Sequence, residues 1–135
     1  MHRLKTRPKQ AVMAGLAVLA ALSGVVEPSF AHHSFAGFDK DRKVTIKGTV
    51  KQWQFTNPHS WLQLMVTENG RDVEYSLEGA SVNTLIRRGW NRTTFKPGDK
   101  ITVDMYPLRN GQKGGAFLSA TFANGRTISS GITPN

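Results

Sequence analysis

Asp72-Val73-Glu74-Tyr75-Ser76-Leu77-Glu78-Gly79-Ala80-Ser81-Val82-Asn83-Thr84-Leu85-Ile86-Arg87-Arg88-Gly89 changes its hydrophobic period once, and that change decides the fold. Up to Glu78 the apolar Val73, Tyr75 and Leu77 alternate with acidic or polar residues, the period of a strand with one buried face. Past Gly79-Ala80 the spacing turns helical. Ser81 suits an N-cap, Val82, Leu85 and Ile86 share a face, Arg87 and Arg88 suit the negative end of the helix dipole, and Gly89 can take the left-handed cap position. Trp90 would fold back as the hydrophobic contact of that cap. A helix from Val82 to Arg88 is short and depends on packing.

Upstream, Asn69-Gly70 is a strong hairpin signal closing an earlier strand that runs from about Trp61 to Thr67. Asn57-Pro58-His59 interrupts the pattern before it, because proline restricts its predecessor and cannot donate to a ladder. In the first strand Val44, Ile46, Gly48 and Val50 alternate with Thr45, Lys47, Thr49 and Lys51. Gly48 in mid-strand points to a bend, while Trp53 and Phe55, on the opposite parity, point to a bulge near Gln52. Downstream, Lys96-Pro97-Gly98-Asp99 is a turn into a fourth strand with Ile101, Val103 and Met105 inward. Beyond the glycine-rich Asn110 to Gly115, Ala116, Leu118, Ala120 and Phe122 mark one face of a fifth strand, and Arg126 to Ser129 can pair back as a sixth.

This order predicts a mainly β fold: a small antiparallel, OB-fold-like barrel of five strands, or six with the last pairing, and one short helix between strands three and four. Another small open barrel or a β-sandwich is the competing reading, since strand order alone sets no topology. Either Trp53 or Trp61 is expected to be largely buried.

Residues 1–31 read as a cleaved secretory signal. Arg3, Lys5, Arg7 and Lys9 precede the apolar run Ala11 to Val26, and Ser29 and Ala31 are small residues at −3 and −1 of a cut. Ser34-Phe35-Ala36 repeats Ser29-Phe30-Ala31, so a cut after Ala36 is the rival; the first site follows the apolar run directly. The expected parts are then an N-terminal arm, 32–42, held by Phe35 and Phe38, a barrel, 43–130, and a frayed tail, 131–135. The destination is the periplasm or the exterior, with no stable membrane span after cleavage. Removing the signal leaves 14 Lys/Arg against 8 Asp/Glu over 104 residues, a formal +6, which favours anionic ligands without naming one. Cysteine is absent, which excludes disulfides, thiolate metal sites and thiol catalysis.

Ala31-His32-His33-Ser34-Phe35, Thr56-Asn57-Pro58-His59 with Trp61, Glu78-Gly79, Leu85 with Arg87-Arg88-Gly89-Trp90, and Lys96-Pro97-Gly98-Asp99 follow one another along residues 31 to 125. In this the chain resembles a family of small exported bacterial proteins classed as a domain of unknown function. The resemblance implies an exported β-barrel-like domain and carries over no activity.

The processed chain holds three histidines, His32, His33 and His59. A cut after Ala31 gives His32 a free α-amine beside its imidazole, and these two donors with His59 make a nitrogen-rich set suited to copper. The donor types are those of the histidine brace of exported copper proteins and copper-dependent oxygenases. In a variant, the α-amine, a backbone amide nitrogen and the imidazole of His33, the second residue, take the metal. A solvated terminus and a loop histidine are the plainer alternative. The second group of candidates is a ligand face of Trp53, Phe55, Asn57, Trp61, Arg87, Arg88 and Arg92, because aromatics interleaved with cations on an OB-like barrel can take an anionic or aromatic ligand. These rings are also natural core residues, and export argues against nucleic acid as the physiological partner. Acid-base chemistry rests only on Asp72, Glu74 and Glu78 sharing a strand face. No nucleophile elbow or phosphate loop is present, and Gly111 to Gly115 lacks a strand-then-helix setting. The expected function is an exported copper-type metal-binding accessory domain; a non-metal OB-like module for a small ligand or a partner protein is the alternative, and a copper oxygenase the third.

Overall fold

Six strands and one helix follow in the order expected, in a computed structural model that describes residues 35–132. They are β1 (Val44–Gln54), β2 (Trp61–Glu68), β3 (Arg71–Glu78), α1 (Val82–Ile86), β4 (Lys100–Pro107), β5 (Gly114–Phe122) and β6 (Thr127–Ser129). β1 pairs antiparallel with both β2 and β4, β2 with β3, and β4 with β5, while a short parallel pairing of β3 with β5 closes the ring. The cycle β1-β2-β3-β5-β4 with the helix between β3 and β4 is the OB arrangement, and β6 is an extra strand on β5. Closure removes the free edges that an open five-stranded sheet would expose.

Local chemistry explains the joints. Asn69 and Gly70 both have positive φ, 50° and 76°, the two-residue turn whose twist suits a hairpin, and Glu68 pairs directly with Arg71. The β1–β2 register slips between Val50 and Gln52, the bulge that lets Val50 and Phe55 both point inward. Gly48 stands where a side chain would run into Met65 O and Leu64 of β2. At the closure, a side chain on Gly115 would meet Tyr106 O, so β5 can change neighbours there only without one.

Ser81 caps α1 by accepting from Thr84 N at 3.3 Å. At the other end Gly89 N donates to Ile86 O and Trp90 N to Leu85 O, the paired bonds of a Schellman cap, with Leu85 and Trp90 in one core. The helix ends at Ile86 rather than Arg88, and Ile86 does not join Leu85 inside. Five helical residues turn a single side chain fully inward, and Ile86 is left 55 % exposed.

The main core fills the barrel with Leu62, Leu64, Leu77, Leu85, Ile101, Val103 and Phe117. Its lower end is an aromatic group in which Trp90 meets Phe95 and Phe117 edge-on at 5.7 and 5.4 Å. Trp90 is the buried tryptophan, 3 % exposed, whereas Trp53 and Trp61, one of which was expected to be core, are both half-buried. Strand β5 also departs from its simple alternation. The β4–β5 register slips between Asp104 and Met105, so that Leu118 is the extra residue; Ala120 and Phe117 face the main core, while Ala116 and Leu118 join Phe38 and Tyr106 in a second cluster. Phe38, bridged antiparallel to Leu108, is buried in that second cluster.

A candidate site on the β2–β3 face

The β1–β2 connection is tied down by its own short polar residues. Asn57 Oδ1 accepts from Val82 N at 3.0 Å, and Thr56 Oγ1 donates to His59 O at 3.1 Å. Ser60, fully buried, donates through N and Oγ to Ala80 O and accepts from Gly79 N at 2.8 Å. The Asn57–Pro58 peptide is cis. The connection is thus stapled to the β3–α1 junction, and His59 comes to rest beside Glu78, the last residue of β3.

His59 Nδ1 lies 2.9 Å from Glu78 Oε1, with side chains 35 % and 16 % exposed. Burial raises the Glu78 carboxyl above its ordinary value, and the His59 charge acts in the opposite sense. Nδ1 faces the carboxylate, and Nε2 makes no hydrogen bond or ion pair among the described residues. A carboxylate behind one imidazole nitrogen is the arrangement that orients the other toward a metal.

Glu78 also lines a groove of about 480 Å³. Trp61, paired across the ladder with Glu78, and Ser76 supply its β2–β3 wall; Leu108, Gln112 and Lys113 supply the β4–β5 loop; Phe38 brings in the arm. This is the face and one of the loops through which OB barrels commonly take ligands. Lys113 holds that loop in place, since its Nζ contacts Glu68 Oε2 at 2.6 Å and lies 5.5 Å above the Tyr75 ring, and Tyr75 Oη donates to Glu68. The hydrogen bonds from Lys113 and Tyr75 hold the Glu68 carboxyl below its usual range, and burial foremost raises Tyr75.

Of the residues singled out from sequence, His59 and Trp61 flank Glu78 at this site. His32 and His33 lie outside the described residues. Phe55 is core, Trp53 packs at 5.7 Å from it while donating Nε1–H to Asn91 O, and Asn57 caps α1. Arg87, Arg88 and Arg92 are exposed in the segment that follows α1 and do not line the groove. Glu78 as the partner of His59, and the contributions of Phe38, Gln112 and Lys113, were not singled out; the OB strand order itself was the signal that could have pointed to the β4–β5 loop. Among the described residues no three histidine or carboxylate side chains cluster as a metal site, and no helix is long and apolar enough to cross a membrane.

Fold and groove together define an OB-type barrel with a lined cleft on its β2–β3 face. The chain belongs to a family of unknown function, DUF6152, whose pattern it matches over residues 19–118. No curated protein matches it.

Proposed function

We propose that the chain is exported, cut after Ala31, and binds a copper-type ion through the His32 α-amine and imidazole together with His59, as an accessory rather than a catalytic domain. The observation that carries this reading is the His59–Glu78 contact at 2.9 Å, which leaves Nε2 as the available ligand nitrogen. Two donors from the terminus and one from His59 make a nitrogen set preferred by copper over magnesium or calcium. In the variant, the His33 imidazole joins the α-amine and a backbone amide nitrogen on the metal.

Intact-mass analysis of the exported protein tests the first step; a mass for 32–135 is expected, and one for 37–135 removes the N-terminal donors and overturns the reading. Titration of the 32–135 protein with Cu(II), followed by electron paramagnetic resonance, tests the second. Nitrogen hyperfine structure that simplifies in His59→Ala is expected; a spectrum indifferent to that change overturns the role of His59. The groove favours a second reading, a non-metal ligand held between Trp61 and the β4–β5 loop, for which ligand binding would persist in His59→Ala and fail in Trp61→Ala.

A further inference from the structure

From Gly79 to Gly98 the chain carries no acidic residue but includes Arg87, Arg88, Arg92 and Lys96. The β5–β6 turn brings a further cation to the same end of the barrel. Arg126, its Cζ 4.3 Å over the Phe122 ring, borders a small recess of about 170 Å³ shared with Gly89, Asn91 and Thr93. Trp90 Nε1 donates to Ser129 O at 3.1 Å and ties β6 to the end of α1, and a side chain on Gly131 would collide with the Arg88 guanidinium. Arg87, Arg88, Arg92 and Arg126 make no ion pair among the described residues, whose five pairs engage Lys43, Lys51, His59, Arg109 and Lys113. Beside Arg87 stands Ile86, the one large apolar side chain exposed among the described residues.

We infer that this end of the barrel docks on an anionic lipid bilayer, with Ile86 entering the headgroup layer and the four arginines meeting lipid phosphates. Charge complementarity selects an anionic partner. The kind of partner follows from what surrounds the charge. A stable protein interface buries about 800 Å² per side around an apolar centre, and one isoleucine is no such centre. A nucleic acid would need exposed rings to stack on, and Trp90 and Phe95 are buried. Scattered cations around a single apolar wedge suit a fluid surface, where weak contacts add without exact fit. The inference does not depend on metal binding.

The test uses residues 32–135, which contain the whole closed barrel, so that the apolar segment 11–26 contributes nothing. Co-sedimentation with equimolar phosphatidylglycerol–phosphatidylcholine vesicles at physiological salt should exceed that with phosphatidylcholine alone. Each basic residue near the surface contributes roughly fivefold, so Arg87→Gln with Arg88→Gln should lower partitioning at least about twentyfold. Ile86→Ser should lower it several-fold with an unchanged melting temperature, and Arg92→Gln alone should lower it roughly fivefold. Failure to sediment with the anionic vesicles overturns the inference. So does undiminished binding by Ile86→Ser accompanied by equal binding of soluble polyglutamate, which would make an acidic macromolecule the partner.

Discussion

Glu78 stands where burial disfavours its charge and His59 favours it, and the balance leaves its pKa raised. A raised carboxylate contributes stability that is complete below the unfolded value of about 4.3 and is lost as pH rises through the folded value. Glu78→Gln is therefore expected to be no less stable than the parent at neutral pH, with any advantage vanishing below about pH 4, as thermal melts across pH would show. If the carboxylate orients His59 for a metal, the same variant should bind Cu(II) about 10–100-fold more weakly. Lost affinity without lost stability separates orientation from structural support. Trp90 is the opposite case, a residue whose whole contribution is packing and one indole hydrogen bond. Trp90→Ala should cost about 3–5 kcal/mol in denaturant unfolding, and more than Trp61→Ala, whose ring lines the groove. Tyr106 Oη is buried with no partner among the described residues, so Tyr106→Phe should melt at or above the parent temperature.

At the scale of elements, the hairpin, the capped helix and the β1 bulge were legible because each is set by neighbours in sequence. Asn69-Gly70 selects its turn, Ser81 its cap, and the parity change before Trp53 its bulge. The bulge in β5 was not legible. Ala116, Leu118, Ala120 and Phe122 alternate without a break, and only pairing with β4 makes Leu118 supernumerary and turns Phe117 inward. The β1–β2 connection was half legible: Asn57-Pro58-His59 marked it as a break, but not that Asn57 reaches Val82 N, 25 residues on. Asn57→Ala should cost about 1 kcal/mol, the usual net loss of one hydrogen bond, and should loosen His59 as well. Amide hydrogen exchange at Val82 and Ser60 would rise if the staple has that role and stay unchanged if it does not.

For the molecule as a whole, acid stability follows from the groups held below their ordinary range. Asp104, which accepts from Thr45 at 2.6 Å and lies 3.5 Å from Lys43, is lowered chiefly by the Thr45 hydrogen bond. A lowered carboxylate contributes stability that is present above its unfolded pKa of about 3.9 and is lost as pH falls through the folded value. Asp104→Asn should therefore cost about 1 kcal/mol at neutral pH and flatten the decline below about pH 4, measured by urea unfolding at several pH values. By itself the sequence determined the strand order, the single helix and its caps, and the location of the polar joints, because hydrophobic period and turn chemistry act over a few residues. Only the tertiary structure decided that Trp90 is the buried tryptophan, that β3 closes on β5, and that Glu78 stands behind His59. Those depend on which segments become neighbours, and residues 19 apart such as His59 and Glu78 meet only after the β2–β3 hairpin folds back and the β1–β2 connection is stapled to the β3–α1 junction.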